Sequence, residues 1–301
     1  MSQYIIIFSI TLAISWLLTP IVRTFSERAG ILDHPNHIKR HNKPIARAGG
    51  LAIFLAFQVG LVYLIINDGI IVKELTAIVA GGVLSVLLGF WDDIKGIYYL
   101  EKFLLQAAVA LVLVFSGVRV GFLPVYLSIP VTLFWIIGVT NAVNLQDGMD
   151  GLAAGISCLA GLAFFTIGLI QGNAVLSLLS LALSGSCLGF LRFNFPPASI
   201  FMGDSGSMFL GYVLSILGVL SIQKSESFVS LFIPVLILGV PIFDTIASMV
   251  RRLAKGKGMF DGDRGHFYDI LADRLKLKHE FVLFLIYALT IILGITSICL
   301  V

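Results

Sequence analysis

Ten apolar runs separated by short polar gaps make up most of this chain, and they decide its fold class. They cover residues 4–22, 48–66, 75–90, 103–118, 125–143, 151–170, 174–190, 205–222, 229–249 and 281–300. A helix needs about 20 residues to cross the hydrocarbon of a bilayer. It also satisfies its own backbone hydrogen bonds there. The fifth run is interrupted at its start by Pro124 and Pro130. Of the 301 residues, 58% are hydrophobic and 12% charged, against about 25% charged in a soluble domain. A soluble globule, a disordered chain and a disulfide scaffold are thereby excluded. Cys158, Cys187 and Cys299 all lie in apolar runs, and an odd number of buried thiols argues against a structural disulfide. No basic segment precedes the first run, so it is expected to stay in the membrane rather than act as a cleaved leader. The expected architecture is an all-α polytopic membrane protein of about ten transmembrane helices, one domain over residues 1–301.

Charge then orients the runs. Of 20 Lys and Arg residues, 17 fall in alternate gaps. The positive-inside rule makes those gaps cytoplasmic and turns both termini outward. The cytoplasmic loops are residues 23–47, 91–102, 144–150, 191–204 and 250–280. All five histidines and 13 of the 17 acidic residues lie on that same side. Asp244 is the acidic residue inside a span, toward its cytoplasmic end. Such an asymmetry exceeds what topology requires and points to one cytoplasmic-face site built from several loops. The net charge of +3 does not suggest a nucleic-acid partner.

Four constellations carry chemistry. Trp91-Asp92-Asp93 follows an apolar run. Adjacent carboxylates at a membrane boundary repel each other unless a cation neutralises them; a solvated helix end partnered by Lys95 and Lys102 is the plain alternative. In Asn144-Leu-Gln-Asp147-Gly148-Met149-Asp150-Gly151 the polar residues recur every three positions, which places them on one face of a helical turn. The calcium-loop pattern is not met. The third segment, Phe193 to Ser207, holds Phe201 and Asp204 and breaks at Pro196-Pro197 before a new helix. That helix start suits a phosphate, and Asp204 there is equally a candidate N-cap. In the last cytoplasmic loop Asp263, Arg264 and His266 mix opposite charges among glycines and aromatics. Arg251, Arg252, Lys276 and Lys278 read as ordinary topology charges. In the first loop, Lys43-Pro44 and Arg47-Ala-Gly49-Gly50 can approach a phosphate or base edge. Hard carboxylate oxygens without cysteine suit Mg²⁺ or Mn²⁺ rather than zinc. Carboxylates, a divalent ion and basic loops together fit phosphoryl transfer.

GFWDD, NAVNLQDGMDGL and PASIFMGDSGS, in this order, resemble the polyprenyl-phosphate N-acetylhexosamine-1-phosphate transferases. The resemblance runs from about Asp33 to Asp269. That family includes the phospho-N-acetylmuramoyl-pentapeptide transferases and the undecaprenyl-phosphate N-acetylglucosamine-1-phosphate transferases of O-antigen and teichoic-acid synthesis. It implies a Mg²⁺-dependent enzyme of the bacterial inner membrane. A polyprenyl phosphate in the bilayer attacks a UDP-N-acetyl sugar, UMP leaves, and a lipid diphosphate sugar remains. Carried over by motif, Asp204 resembles the metal ligand, with Asp147 beside it. Asp92, with Asp93 next to it, resembles the group that deprotonates the lipid phosphate. Asn144 and Asp147 resemble polar groups near metal and diphosphate. Gly148, Met149, Asp150 and Phe201 fall where the family holds uracil, and Lys43 matches a nucleotide-contacting lysine. His266 matches the start of the family's histidine motif, behind Asp263-Arg264.

One departure stands out. The glucosamine-type enzymes carry D-R-x-H-x-H-H, and here Tyr268 and Asp269 stand where two histidines are expected. Asp263-Arg264 and Lys43-Pro44-Ile45 place the chain nearer the glucosamine branch, and the altered segment leaves the sugar open. A one-step displacement and a covalent aspartyl-phosphate route both remain. So do the oligomeric state, a homodimer included, and the glycan pathway. The rivals from other classes are a cation-coupled transporter and a non-catalytic assembly factor.

Overall fold

The computed structural model describes residues 2–35, 41–68, 73–223, 227–258 and 265–301. Asp263 and Arg264 lie outside the described residues. Helix α1 (Ser2–Ala29) leads into two short strands, β1 (Leu32–Asp33) and β2 (Ile45–Ala46). Seven helices follow: α2 (Gly50–Asp68), α3 (Lys73–Lys95), α4 (Tyr99–Ser116), α5 (Val125–Leu145), α6 (Leu152–Ile170), α7 (Ala174–Asn194) and α8 (Gly203–Ile222). The chain ends through α9 (Phe232–Ile237), α10 (Gly239–Ala254), the short α11 (Phe267–Asp269) and α12 (His279–Ile298).

Among the described residues eight helices, α1, α3 to α8 and α12, are long and apolar enough to cross a membrane. The chain is a helical multi-pass membrane protein. Helix α2 falls on the second expected run and is shorter over its apolar part. The ninth expected span, 229–249, is not one helix. It breaks into α9 and α10, bent by 84°. Pro241 is the cause: it has no N–H for the carbonyl of Ile237, and its ring crowds that same carbonyl. The strands β1 and β2, paired antiparallel, also depart from the all-helical expectation.

Several cytoplasmic gaps are shorter than hydropathy suggested. Helix α1 runs on to Ala29, α3 to Lys95 and α10 to Ala254. Hydropathy marks where lipid ends, and helical hydrogen bonding continues beyond it.

Helix α8 is the axis of the bundle. Every residue from Gly203 to Ile222 is buried except Asp204. Helices α2, α3, α5, α6, α7 and α9 pack around it. Small residues allow this enclosure, because apolar side chains gain nothing over lipid and close backbone approach must supply the attraction. A Cβ on Gly50 of α2 would overlap the backbone of Gly206 on α8. Several hydroxyls in the spans return their protons to their own helix. Thr19 Oγ1 donates to Ser15 O at 2.6 Å and Ser180 Oγ to Leu176 O at 2.6 Å, so neither hydroxyl is orphaned in the apolar interior.

Candidate active site

The one open residue of α8 is its first acidic one, and three other loops converge on it. Strand β2 and the segment before α8 run side by side: Ala46 bridges Ile200, and Phe201 N donates to Ala46 O at 2.8 Å. Gly49 N and Gly50 N donate to Phe201 O and Met202 O at 2.9 Å each. This ladder delivers Arg47 to the start of α8. Its Nη2 lies 2.9 Å from Asp204 Oδ2 and its Nε 2.9 Å from Asp93 Oδ1. Burial alone would lower the Arg47 pKa, but the charges of Asp93, Asp204, Asp33 and Asp147 outweigh it and hold it above its ordinary value.

The two adjacent aspartates at the end of α3 have different occupations. The Asp93 carboxylate is fully buried and accepts from Asp204 N at 2.8 Å and Ser205 N at 3.0 Å. It thus caps α8 from a neighbouring helix, satisfying N–H groups that have no partner within α8. Gly203, at φ +75°, leaves room for it; a Cβ there would stand 2.6 Å from Asp93 Oδ2. Asp92 turns the other way. Its Oδ1 accepts from Ile97 N at 2.8 Å and its Oδ2 from Lys102 Nζ at 2.6 Å. Lys102 also reaches Asp204 Oδ1 at 3.4 Å. From the end of α5, Asn144 Nδ2 donates to Asp204 Oδ1 at 2.5 Å and to Ser207 Oγ at 2.8 Å.

The turn between α5 and α6 carries Asp147, Gly148, Met149 and Asp150. Burial pushes the Asp147 carboxyl well above the usual carboxylate range. The charges of Asp204, Asp93 and Asp150 add to that, and Arg47 opposes it. Asp150 Oδ2 accepts from Ala198 N at 2.9 Å, which ties this turn to the Pro196-Pro197 segment. Met149 is buried in a small apolar cluster with Tyr268 and Leu283. Gly148 lies directly under Tyr268, whose hydroxyl occupies the space a Cβ would need.

The expected nucleotide residues of the first loop and of the α8 approach come together through His41. Its ring packs edge-on against Phe201 at 5.3 Å, its Nδ1 is 2.8 Å from Lys43 O, and its Nε2 is 2.9 Å from Asp33 Oδ2. The Lys43 side chain is exposed. His266 is placed elsewhere, beside Asp244 of α10, with Nδ1 2.9 Å from Asp244 Oδ2.

Loops singled out from the sequence meet here, but the links that four residues make between them are not legible in it. The sequence offers Arg47 as a phosphate or base contact rather than a partner of Asp204, and Lys102 only as a partner in the plain alternative of a solvated helix end. Gln146 and Asp244 were assigned nothing. A carboxylate inside an apolar span is itself the missed signal, since such a charge persists only with partners.

The hard oxygens of Asp204 and Asp147 fit a divalent ion that takes one or two carboxylates and completes its shell with water and phosphate. Among the described residues no three Asp, Glu, His or Cys side chains gather into a ready-made cage. The charge repulsion felt by Asp147 is of the kind a bound cation relieves.

Comparison with known proteins gives this arrangement a lineage. A probable undecaprenyl-phosphate N-acetylglucosaminyl 1-phosphate transferase of Bacillus subtilis is 39% identical, over 100% of this chain and 86% of the relative. A decaprenyl-phosphate N-acetylglucosaminephosphotransferase of Mycobacterium tuberculosis is 33% identical, over 91% of this chain and 76% of its own length. A phospho-N-acetylmuramoyl-pentapeptide-transferase of Prochlorococcus marinus is 32% identical over a shorter stretch, 72% of this chain and 67% of its own. Residues 75–222, from the start of α3 to the end of α8, match the sequence pattern of glycosyl transferase family 4. With its full length aligned to the Bacillus protein and every acidic segment of the site inside that alignment, the chain belongs to glycosyl transferase family 4.

Proposed function

We propose that this enzyme transfers N-acetylglucosamine 1-phosphate from UDP-N-acetylglucosamine to undecaprenyl phosphate, releasing UMP. The observation that carries the reading is the meeting of Asp92, Asn144, Arg47 and Lys102 around Asp204, at the open end of a buried helix. The names of the Bacillus and Mycobacterium relatives support the sugar and the lipid class. Family membership sets aside the transporter.

An oxygen of the lipid phosphate attacks the β-phosphorus of the UDP-sugar. The bond from that phosphorus to the bridging oxygen breaks, and the electron pair leaves with UMP. Asp92 takes the proton of the lipid phosphate, and Lys102 beside it offers a cation to the same group. Arg47 and Asn144 hold the Asp204 carboxylate in one orientation. Asp93 acts at one remove, by fixing the start of α8. The turn of Gly148, Met149 and Asp150, with Phe201 and Lys43, receives the uridine. Mg²⁺, or Mn²⁺, held by Asp204 and Asp147 would supply neutralising charge on the diphosphate. Catalysis of this kind rests mainly on positioning and charge.

The proposed placement is the bacterial inner membrane, as a single transmembrane catalytic domain. Counting α2 and the α9–α10 pair gives ten spans, both termini outward and the site cytoplasmic. The 17 basic residues in alternate loops support that orientation. The test is UMP release by purified protein in detergent or vesicles. It should require UDP-N-acetylglucosamine, undecaprenyl phosphate and a divalent ion together. Release from another UDP-sugar alone would move the sugar assignment. No release from any UDP-N-acetyl sugar would overturn the reading.

A further inference from the structure

The reaction steps above give no part to Asp244, a buried carboxylate on α10. Three donors surround it. Gln146 Nε2 lies 2.8 Å from Oδ2, His266 Nδ1 2.9 Å from Oδ2, and Phe267 N 2.6 Å from Oδ1. Both carboxylate oxygens thus serve as acceptors. A neutral imidazole in this place presents its proton at Nδ1 and leaves its other nitrogen as an acceptor. His266 makes no hydrogen bond through Nε2 among the described residues. Its ring is fixed from a second direction by stacking on Tyr268, with centroids 5.4 Å apart and planes 4° apart. Ser248 Oγ, 3.3 Å from Nδ1, is turned by Arg251 Nη2 at 3.1 Å. The Gln146 arm ties the same carboxylate to the residue preceding Asp147.

We infer that Asp244 is a positioning residue. It selects the His266 tautomer with a free Nε2, which accepts a hydrogen bond from a hydroxyl or amide N–H of the bound sugar nucleotide and so holds the diphosphate in line with the attacking oxygen. The same hydrogen-bond set docks the last cytoplasmic loop onto the α5–α6 turn. This rests on the reaction proposed above. Wild-type UMP release tests that reaction, and the variants below test the positioning role.

The experiment is a double-mutant cycle of Asp244→Asn and His266→Gln in the full-length protein, with kcat and KM for UDP-N-acetylglucosamine measured for each. An amide in place of Asp244 accepts from Phe267 N but donates to Nδ1, which inverts the tautomer. Asp244→Asn should lower kcat about 100-fold, the scale of a misplaced reacting group, and leave KM within about threefold. The double variant should be no slower than His266→Gln alone. Losses that multiply, or near-normal kcat in Asp244→Asn, overturn the role. Should Asp244→Asn fail to fold, ¹⁵N NMR of histidine-labelled wild type decides. The His266 signal, identified by its loss in His266→Gln, should report a proton on Nδ1; a proton on Nε2 overturns the inference.

Discussion

Arg47 and Asp204 are 157 residues apart in sequence and 2.9 Å apart in space. The same guanidinium holds the fully buried Asp93, so one side chain fastens two carboxylates with different duties. A lysine has one charge centre and cannot span both as a planar fork does. Arg47→Lys should therefore cut turnover about tenfold or more, and Arg47→Ala should also destabilise the fold. The buried Asp93 carboxylate would lose its charged donor and keep two backbone N–H groups, a loss of about 1.5–3 kcal/mol, and thermal melting of detergent-solubilised protein would show a drop of several degrees. An unchanged melting curve for Arg47→Ala would mean that Asp93 finds another partner.

Asp92 and Asp93 should separate on mutation although they are neighbours. Asp92→Asn is expected to lose about 100-fold or more in kcat, the scale of a removed general base, with nucleotide binding intact. Asp93→Asn keeps an acceptor for one N–H of α8 and should lose less activity. Its deficit should appear in stability, about 1 kcal/mol for a weakened cap. UMP release and melting measured on both proteins decide the matter, and near-normal turnover by Asp92→Asn removes it as the base.

The raised Asp147 pKa has a sign that can be worked out. The folded state holds this proton to higher pH than the unfolded chain does. Its contribution to stability is therefore complete below the unfolded value and lost as pH rises through the folded one. Without a divalent ion, melting temperature should fall over that window; with Mg²⁺, which competes with the proton, the fall should shrink. Apparent Mg²⁺ affinity should rise with pH over the same window. In Asp147→Asn both trends should flatten. Melting curves across pH, with Mg²⁺ and with EDTA, test the set.

Gly148 and Tyr268 are in direct register. Gly148→Ala should overlap the phenol hydroxyl and disturb the turn that carries Asp147, lowering activity and stability together. Overpacking of this kind costs about 1–3 kcal/mol. Adding Tyr268→Phe, which removes the offending oxygen, should restore part of both. Activity and melting of the single and double variants provide the check.

Much of this molecule was legible in its residues, and the gaps have physical causes. Apolar runs mark bilayer contact, so they placed the helices. They could not show that α3 carries its helix past Trp91 to Lys95, because helical hydrogen bonding does not stop where lipid stops. The bend at Leu238 was written in Pro241, but a hydropathy average passes over a single proline. The acidic motifs name residues that the fold brings to one end of α8. Their pairing was hidden because Arg47 reaches Asp204 only through the ladder of Ala46 with Ile200 and Phe201. Sequence distance carries no trace of such a ladder. Asp93 and Asp92 look equivalent on paper, and only the direction each faces from the end of α3 distinguishes them. Tyr268 was read as a missing histidine. In the fold it is a packing residue, stacked on the histidine that remains.

The enclosure of α8 has a consequence for how this protein meets changes in its surroundings. Thinning or thickening of the lipid sheet tilts and strains the outer helices, which touch the acyl chains. A rod that touches none of them feels such changes only through its protein jacket. Asp204 rides on that shielded rod, so growth temperature and fatty-acid composition should alter how the lipid substrate arrives far more than how the diphosphate is gripped.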